Sequence, residues 1–218
     1  MQVVEIFGSI EGEGKRTGQL ATFVRLAGCN LRCTYCDTTY AFFGGTEMTV
    51  DDIVDACKKI GYHNVTLTGG EPLKAHDIST LIRTLCAQGF QVNVETNGSV
   101  NLSSYINMRK EENLDVFFTV DYKTLCSGMS TLMATDAFMP LDPEKDIVKC
   151  VVATEEDMDE ALDYLDSFER PFNIWFSPVF GQIEPFKIVE YIKKHNRQDI
   201  TIQVQLHKII WDPMERGV

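Results

Sequence analysis

The sequence predicts an α/β fold built on parallel strands, and three patterns lead to this prediction. Short runs rich in β-branched residues recur along the chain, helical patterns lie between several of them, and glycine or polar residues follow most of the runs. Right-handed crossovers between such strands would curl them into an open sheet or a partial barrel.

Seven strands and four helices are expected. The apolar runs cover residues 22–26, 64–68, 91–95, 116–121, 147–152, 173–177 and 201–204. The helical patterns cover residues 50–59, 78–87, 156–167 and 185–194, with Thr49 and Asp77 as candidate N-caps of the first two. Polar residues interrupt the pattern in residues 97–113, which predicts a helix there that is short or absent.

Length and composition favour one globular domain that spans residues 1–218, because 44 % of the residues are hydrophobic and 24 % are charged. The net charge of −12 gives an acidic surface, which disfavours nucleic acids and anionic membranes as partners. The first residues lack the pattern of a signal peptide, and no apolar run reaches transmembrane length. We therefore expect a cytoplasmic protein.

Three of the seven cysteines, Cys29, Cys33 and Cys36, form a CxxxCxxC spacing. An odd count grouped in this way does not resemble a disulfide framework. Three thiolates on one tight loop can bind three irons of a 4Fe–4S cluster and leave the fourth iron open to another ligand. The alternatives are core cysteines or a zinc site, which would need a fourth protein ligand. We expect the isolated cysteines Cys57, Cys86 and Cys150 to pack in the core. The role of Cys126 is left open.

Segments with polar residues or glycine follow the predicted strands. Ligands of parallel α/β folds bind at the carboxyl ends of the strands, so these segments are expected to meet at one rim. They are the cysteine loop, Thr68-Gly69-Gly70-Glu71-Pro72, Glu95-Thr96-Asn97-Gly98, Asp121-Tyr122-Lys123 and Ser177-Pro178.

The cysteine loop, with Tyr35 directly before its last cysteine, resembles the radical S-adenosylmethionine (SAM) superfamily. The segment Gly69-Gly70-Glu71-Pro72 is similar to the GGEP motif of that superfamily, which receives the SAM amino group. Four further segments narrow the resemblance to the 7-carboxy-7-deazaguanine synthase family: Ser9-Ile10-Glu11-Gly12-Glu13-Gly14, residues 23–31, Cys36-Asp37-Thr38 and Gln205-Leu206-His207-Lys208.

This resemblance implies a partial barrel of parallel strands that is reduced in helices and usually forms a homodimer. It implies conversion of 6-carboxy-5,6,7,8-tetrahydropterin into 7-carboxy-7-deazaguanine with loss of ammonia, on the way to queuosine and related deazapurines. The implied cofactors are a 4Fe–4S cluster, SAM used catalytically, and Mg²⁺. An electron donor such as flavodoxin or ferredoxin would reduce the cluster.

The resemblance also assigns substrate-binding residues. Arg25 would clamp the substrate carboxylate, because a planar guanidinium suits bidentate binding; the alternative is an arginine on a solvated strand face. The family usually has Gln where Glu11 stands, so the contact of that side chain with the pterin is open, although a backbone contact would survive the change. The implied substrate-binding set is Ile10, Glu11, Gly12, Arg25, Thr68 and Val218.

Cofactor contacts are implied at the other rim segments. Thr38 would be the protein ligand of Mg²⁺, although the residues alone favour Asp37-Thr38 as a cap of the following turn. His207-Lys208 would either sense the substrate or form a surface pair. The implied cofactor-binding set is Tyr35, Asp37, Gly70, Glu71, Asp121, Tyr122, Lys123, Ser177, Pro178, Val179 and Phe180.

Two rival functions remain at this level. Another radical SAM enzyme, such as a glycyl-radical activating enzyme, shares the cysteine spacing, but residues 9–14 and Asp37-Thr38 argue against it. A non-catalytic iron–sulfur electron carrier or a zinc module would not need the GGEP segment and would not cleave SAM.

Overall fold

A mixed sheet of nine strands organises the part of the chain that the computed structural model describes, residues 1–213 and 215–218. In chain order the strands are β1 (Gln2–Ile10), β2 (Leu20–Leu26), β3 (Thr46–Glu47), β4 (Asn64–Gly69), β5 (Gln91–Thr96), β6 (Val116–Tyr122), β7 (Ile147–Val152), β8 (Ile174–Pro178) and β9 (Ile200–Ile202). Their order in the sheet is β3-β1-β2-β4-β5-β6-β7-β8-β9.

The strands from β2 to β9 in this order pair in parallel, while β1 pairs antiparallel with both β2 and β3 at one edge. This arrangement confirms the predicted α/β fold, and every predicted strand is present with ends that agree within two residues. The sequence pattern does not predict β1 or β3. Glu5, Gly8 and Ser9 interrupt the apolar pattern of β1, which is a strand because its backbone pairs with β2 from Val3 to Ile10.

The α-helices are α1 (Val50–Ile60), α2 (Ile78–Ala87), α3 (Ser103–Glu111), α4 (Thr135–Phe138), α5 (Glu155–Asp166), α6 (Pro185–Lys194) and α7 (His207–Ile210). Thr49 is confirmed as the N-cap of α1, since it forms a capping box with Asp52. Asp77 occupies the N-cap position of α2 but has a φ of 61° and makes no side-chain capping bond. Residues 97–113 hold the short α3, as expected. No helix in residues 1–213 and 215–218 is long and apolar enough to span a bilayer.

Alternation along the parallel strands separates an apolar face from a polar face. Val24 and Leu26 of β2, Leu67 of β4, Val94 of β5 and Phe118 of β6 belong to the hydrophobic core. Buried side chains of α1, α2, α3, α5 and α6 complete this core. The helices therefore cover one face of the sheet.

The opposite face encloses a cavity of about 500 Å³. Polar side chains reach it from four separate strands: Arg25 of β2, Thr68 of β4, Glu95 of β5 and Lys149 of β7. Strands so far apart in one sheet can line a common cavity only when the sheet curves around it. The concave face of an open, curved sheet therefore holds the candidate site.

A buried ion pair joins α3 to the start of β7. Arg109 donates from Nη1 and Nη2 to the two oxygens of Asp146 at 2.5 and 3.0 Å, and the side chains are 3 % and 0 % exposed. The same carboxylate accepts hydrogen bonds from the backbone N–H groups of Phe118 at 3.0 Å and Asp142 at 2.8 Å. These four hydrogen bonds offset the cost of burying the charge.

Candidate active site

The three clustered cysteines lie on the loop that leaves the carboxyl end of β2. Leu31 is 1 % exposed and anchors this cysteine loop in the interior. Arg32 Nη1 donates to the carbonyl oxygens of Cys29 at 2.9 Å and Leu31 at 2.7 Å, and Cys36 N donates to Cys33 O at 3.3 Å. These contacts hold the loop as a compact turn whose three thiols are free and half-buried.

Gly69 and Gly70 dock directly on the base of the cysteine loop. A Cβ on Gly70 would lie 2.0 Å from Gly28 O, and one on Gly69 would lie 2.1 Å from Leu26 O. The backbone N–H of Gly70 donates to Leu26 O at 3.0 Å, and that of Glu71 donates to Gly28 O at 2.7 Å. Glycine is required at both positions because no side chain fits between the two backbones. The GGEP segment therefore positions the cysteine loop.

Glu71, which the resemblance assigns to the cofactor-binding set, is buried and does not present its charge at the rim. Its side chain is 1 % exposed, and its carboxylate accepts hydrogen bonds from Leu73 N at 3.1 Å, Thr96 Oγ1 at 2.8 Å and Asn97 N at 2.7 Å. Burial raises the pKa of Glu71 above its usual value despite these bonds. Glu71 contributes by joining the loops that follow β4 and β5.

The donor set fits a 4Fe–4S cluster better than it fits zinc. No group of three or more His, Cys, Asp or Glu side chains in the described chain is arranged to hold a metal ion, as a zinc site would require. Thiolates of a cubane bind three different irons and do not converge on one point. Leu31 N lies 3.4 Å and Asn97 Nδ2 3.7 Å from Cys29 Sγ, and such hydrogen bonds tune the reduction potential of a cluster.

Unpartnered polar atoms lie at the rim. The Tyr35 hydroxyl, Asp121 Oδ1 and Ser177 Oγ are buried and have no hydrogen-bond partner among the described residues. Buried polar atoms of this kind cost free energy unless a ligand or water binds them. They fit a ligand rich in hydrogen-bonding groups, as SAM is.

Asp121 and Lys123 face the site, whereas Tyr122 faces the core. Lys123 Nζ lies 2.7 Å from Asp121 Oδ2. The Tyr122 hydroxyl donates to Glu160 Oε1 at 2.7 Å, and its ring stacks on Tyr164 with centroids 4.7 Å apart. Alternation in β6 turns the Tyr122 side chain toward the helices, so a cofactor contact at this residue would have to use its backbone and stays a prediction.

Residues 177–180 lie at the end of β8, and none of them lines the cavity. Ser177 and Pro178 complete the strand, and Val179 N donates to a carbonyl oxygen at the end of β7 at 2.8 Å. The ring of Phe180 is 55 % exposed, with Lys208 Nζ 5.5 Å from its centroid. Contact between this segment and the adenine of SAM stays a prediction.

The substrate-binding residues implied by the sequence meet around the cavity. It extends to the cysteine loop, since Cys36 lines it together with Asp37 and Thr38. The structure therefore brings these residues to one space beside the third cysteine. The predicted substrate-binding residues that line it are Ile10, Glu11, Gly12, Arg25, Thr68 and Val218.

Arg25 is fixed by a carboxylate from the unpredicted strand β1. Its Nε donates to Glu5 Oε1 at 2.6 Å, and the Tyr40 hydroxyl donates to the same oxygen at 3.0 Å. The Arg25 side chain is only 16 % exposed, which excludes the alternative of a solvated strand face. Because Glu5 engages Nε, the terminal nitrogens are left for a carboxylate in the cavity.

Two carboxyl groups share the inner wall of the cavity. Burial and the nearby Glu95 raise the pKa of Glu11 to about 7, while a hydrogen bond from the Thr66 hydroxyl acts in the opposite direction. Burial also raises the pKa of Glu95, whose Oε2 accepts a hydrogen bond from Thr68 Oγ1 at 2.7 Å. The protonated forms of both groups are therefore favoured relative to carboxyl groups in water.

Lys149 and Glu13 form a charged pair that the sequence analysis did not identify. Lys149 Nζ lies 2.5 Å from Glu13 Oε2 and 3.6 Å from Asp121 Oδ2. Burial alone would lower the pKa of Lys149, but Glu13, Asp121 and Glu95 raise it well above its usual value. A signal was available, because Lys149 is a single charge in an otherwise apolar strand, as Arg25 is.

Thr38 presents its hydroxyl oxygen beside the cavity. Thr38 Oγ1 donates to Asp37 Oδ1 at 2.9 Å, and Lys208 Nζ donates to Asp37 Oδ2 at 2.8 Å. Burial alone would raise the pKa of Asp37, but Lys208 and these hydrogen bonds lower it to about 2. A hydroxyl that donates its hydrogen to a carboxylate keeps its lone pairs for another partner, so Thr38 fits a hard cation that takes few protein ligands, such as Mg²⁺.

The C-terminal segment, residues 205–213 and 215–218, covers the cavity. Leu206 N donates to Gly12 O at 3.0 Å, and His207 packs so closely on Gly12 that a Cβ there would lie 2.2 Å from His207 Nδ1. The guanidinium of Arg216 lies 3.9 Å from the centroid of the Tyr40 ring. Burial lowers the pKa of His207. His207 therefore belongs to the site, and the alternative of a surface pair is excluded for it.

Comparison with known proteins agrees with this geometry. The family described as the radical SAM superfamily matches residues 24–125. The 7-carboxy-7-deazaguanine synthase of Clostridium acetobutylicum is 44 % identical over 223 residues, which cover 100 % of this chain and 99 % of the relative. The corresponding enzyme of Chlorobaculum tepidum is 38 % identical, with coverage of 100 % and 97 %.

Solved structures share the fold. The crystal structure of QueE from Escherichia coli has a TM-score of 0.70 and 23 % identity, covering 94 % of this chain and 93 % of that one. Streptococcus suis SuiB bound to its precursor peptide SuiA has a TM-score of 0.61 and 15 % identity, covering 84 % of this chain and 47 % of that one. With full-length relatives above 30 % identity, this chain belongs to the 7-carboxy-7-deazaguanine synthase family of radical SAM enzymes.

Proposed function

We propose that this protein converts 6-carboxy-5,6,7,8-tetrahydropterin into 7-carboxy-7-deazaguanine with loss of ammonia. One observation carries the proposal: a single cavity joins Cys36 of the cysteine loop to Arg25, Thr38 and the buried carboxyl groups Glu11 and Glu95. A pterin carboxylate, a divalent cation and the polar edge of the ring would each find a matching partner there.

The cluster would be held by Cys29, Cys33 and Cys36, and with SAM it would supply the radical chemistry that starts the ring contraction. The protein's own residues bind and orient the substrate. Arg25, held by Glu5, would bind the substrate carboxylate through its terminal nitrogens. The hydroxyl of Thr38 would hold Mg²⁺.

The residues on the remaining wall of the cavity would select the pterin ring of the substrate. Thr68 and Glu95 are hydrogen-bonded to each other, and Glu95 faces the cavity as an acceptor or, when protonated, as a donor. His207 and the end of the chain at Val218 cover the cavity, so they exclude water from the reacting substrate.

The proposal extends to the setting of the enzyme. Residues 1–218 would act as one radical SAM domain, as a homodimer in the cytoplasm, reduced by a flavodoxin or a ferredoxin. The single continuous sheet supports the first point, and the free state of all seven cysteines suits a reducing compartment.

The test is anaerobic reconstitution with iron and sulfide, reduction, and addition of SAM, Mg²⁺ and 6-carboxytetrahydropterin. Product is followed by chromatography and mass spectrometry. We expect product from the wild type, none from Cys33→Ala, and wild-type cluster content in the control Cys126→Ser, whose thiol lies outside the CxxxCxxC loop.

The outcomes separate the rival functions. A bound cluster that cleaves SAM without forming 7-carboxy-7-deazaguanine would overturn the substrate and favour another radical SAM reaction. A cluster without SAM cleavage would favour an electron carrier.

A further inference from the structure

The Asp37 carboxylate accepts hydrogen bonds from two side chains, one from its neighbour Thr38 and one from Lys208 near the other end of the chain. Oδ1 accepts from the neighbouring Thr38 hydroxyl at 2.9 Å, and Oδ2 accepts from Lys208 Nζ at 2.8 Å. Both donors are side chains, so this carboxylate does not act as a cap for the turn that follows it. The turn is closed instead by backbone bonds such as Ala41 N to Thr38 O at 2.9 Å.

Lys208 belongs to the segment that covers the cavity. Although Lys208 carries a charge, its side chain is only 11 % exposed. Arg216, further along the same segment, lies over the ring of Tyr40 on the loop that also carries Asp37 and Thr38. The covering segment is thus attached to the loop after Cys36 by two cationic side chains.

We propose that Asp37 is a positioning residue that couples closure of the C-terminal segment to the orientation of the Thr38 hydroxyl toward a divalent cation. The inference rests on the proposed function, from which it takes Mg²⁺ and the pterin. The Thr38 hydroxyl has one hydrogen, and while Asp37 accepts it, the oxygen lone pairs are directed to other partners. Lys208 holds Asp37 in place only while the C-terminal segment is closed.

Asp37→Asn tests the carboxylate with little change in size. Thr38 and Lys208 bond to different oxygens of Asp37, so an amide places an NH₂ group opposite one of these donors, and it loses the charge that attracts Lys208. Lys208→Met removes the same ion pair from the other side and leaves Thr38 and its neighbour intact. Lys208→Arg keeps the charge, so it should retain part of the Mg²⁺ dependence that Lys208→Met loses.

The experiment uses the reconstituted holoenzyme with SAM and an unreduced cluster, so that no turnover occurs. Binding of 6-carboxytetrahydropterin is measured by calorimetry at a series of Mg²⁺ concentrations. Asp37→Asn and Lys208→Met each lose a charge-assisted hydrogen bond. We therefore expect the half-maximal enhancement of pterin binding to need about tenfold more Mg²⁺ in each variant than in the wild type. The double variant should resemble the more affected single variant, because both changes break one ion pair.

Two controls accompany these variants. Lys194→Met removes a lysine of α6 that pairs with Glu155 on the surface, 67 % and 61 % exposed, and it should match the wild type. Thr38→Val should abolish the enhancement by Mg²⁺. Hydrogen exchange in residues 205–213 and 215–218 gives a second readout, and we expect it to be faster in Asp37→Asn and Lys208→Met than in Lys194→Met.

The results distinguish this inference from the proposed function. If the wild type binds the pterin and makes product while both variants keep its Mg²⁺ dependence, the coupling is refuted. Additive effects in the double variant would likewise refute a shared ion pair. A wild type that neither binds the pterin nor forms product would refute the proposed function itself.

Discussion

The Glu71 carboxylate accepts a 2.7 Å hydrogen bond from the backbone N–H of Asn97, which ties the loop after β4 to the loop after β5. Asn97 Nδ2 in turn donates to Asn30 Oδ1 at 3.1 Å on the cysteine loop. One buried carboxylate therefore sets the relative position of three loops at the rim.

Glu71→Gln keeps the shape of this side chain but replaces one acceptor oxygen with an NH₂ group. A donor of Leu73, Thr96 or Asn97 would then face another donor, so we expect the free energy of unfolding to fall by about 2 kcal/mol. The affinity for SAM should fall as well, since the loops move. Urea unfolding followed by circular dichroism measures the first effect, and calorimetry with SAM measures the second.

Glu112→Gln is the matched control for Glu71→Gln. Glu112 pairs with Arg83 at 2.7 Å, but the two side chains are 39 % and 46 % exposed. Its loss should lower the free energy of unfolding far less than the loss of Glu71 does, because water and salt screen an exposed ion pair. Equal losses of unfolding free energy in Glu71→Gln and Glu112→Gln would show that the burial of Glu71 adds nothing to its contribution to stability.

Arg25→Lys tests the carboxylate clamp. A lysine ammonium can pair with Glu5 or with the substrate carboxylate, but it lacks the planar fork that serves both. We expect kcat/KM for 6-carboxytetrahydropterin to fall by about 100-fold, mostly through KM, because charge-assisted bidentate contacts contribute roughly twice the energy of neutral ones. SAM cleavage without substrate should stay at the wild-type rate. A loss of SAM cleavage equal to the loss of product would contradict a role confined to the substrate.

Much of the fold was readable because each parallel strand buries apolar, often β-branched residues against the helices. The parallel strands appear as apolar runs, and Thr49 signals the start of α1 through a capping box that its own neighbours complete. The cysteine loop and the GGEP segment were readable for another reason, since both are local in sequence. Each brings its functional atoms together within a few residues.

The features that the sequence analysis did not predict depend on contacts between distant residues. β1 is a strand because it pairs with β2, and its Glu5 reaches Arg25 across that pairing. The Lys149–Glu13 pair joins residues 136 positions apart, which no local pattern indicates. The place of Tyr122 beside Asp121 on the chain likewise does not show that its side chain faces the helices and bonds to Glu160.

The buried pair of Arg109 and Asp146 predicts a large loss of stability. Asp146→Asn retains the shape but removes the charge that balances the Arg109 guanidinium, and both side chains are almost fully buried. Breaking such a pair by removing one charge costs about 3–5 kcal/mol. We expect a loss of this size in urea unfolding. Asp166→Asn, which removes an exposed partner of Arg197, is the control and should cost less than about 1 kcal/mol. A small loss in Asp146→Asn would mean that the interior solvates the guanidinium by other means.

The raised pKa of Glu11 predicts how stability depends on pH. The folded chain holds the Glu11 proton up to a pKa of about 7, whereas the unfolded chain releases it near 4.5. Between these values the folded state binds more protons than the unfolded state, so the free energy of unfolding decreases as pH rises, and the full loss is reached above the folded pKa. A shift of this size corresponds to up to about 3 kcal/mol.

Glu11→Gln removes this titration, because an amide stays neutral. We expect the variant and the wild type to differ little in stability at pH 5, and the variant to become the more stable one as pH rises to 8. Thermal unfolding of the substrate-free protein at several pH values measures the difference, and other groups largely cancel because they titrate in both proteins. Glu156→Gln, at an exposed position of α5, controls for removal of a surface carboxylate. A difference between Glu11→Gln and wild type that stays constant from pH 5 to 8 would show that Glu11 ionises in the folded protein as it does in water.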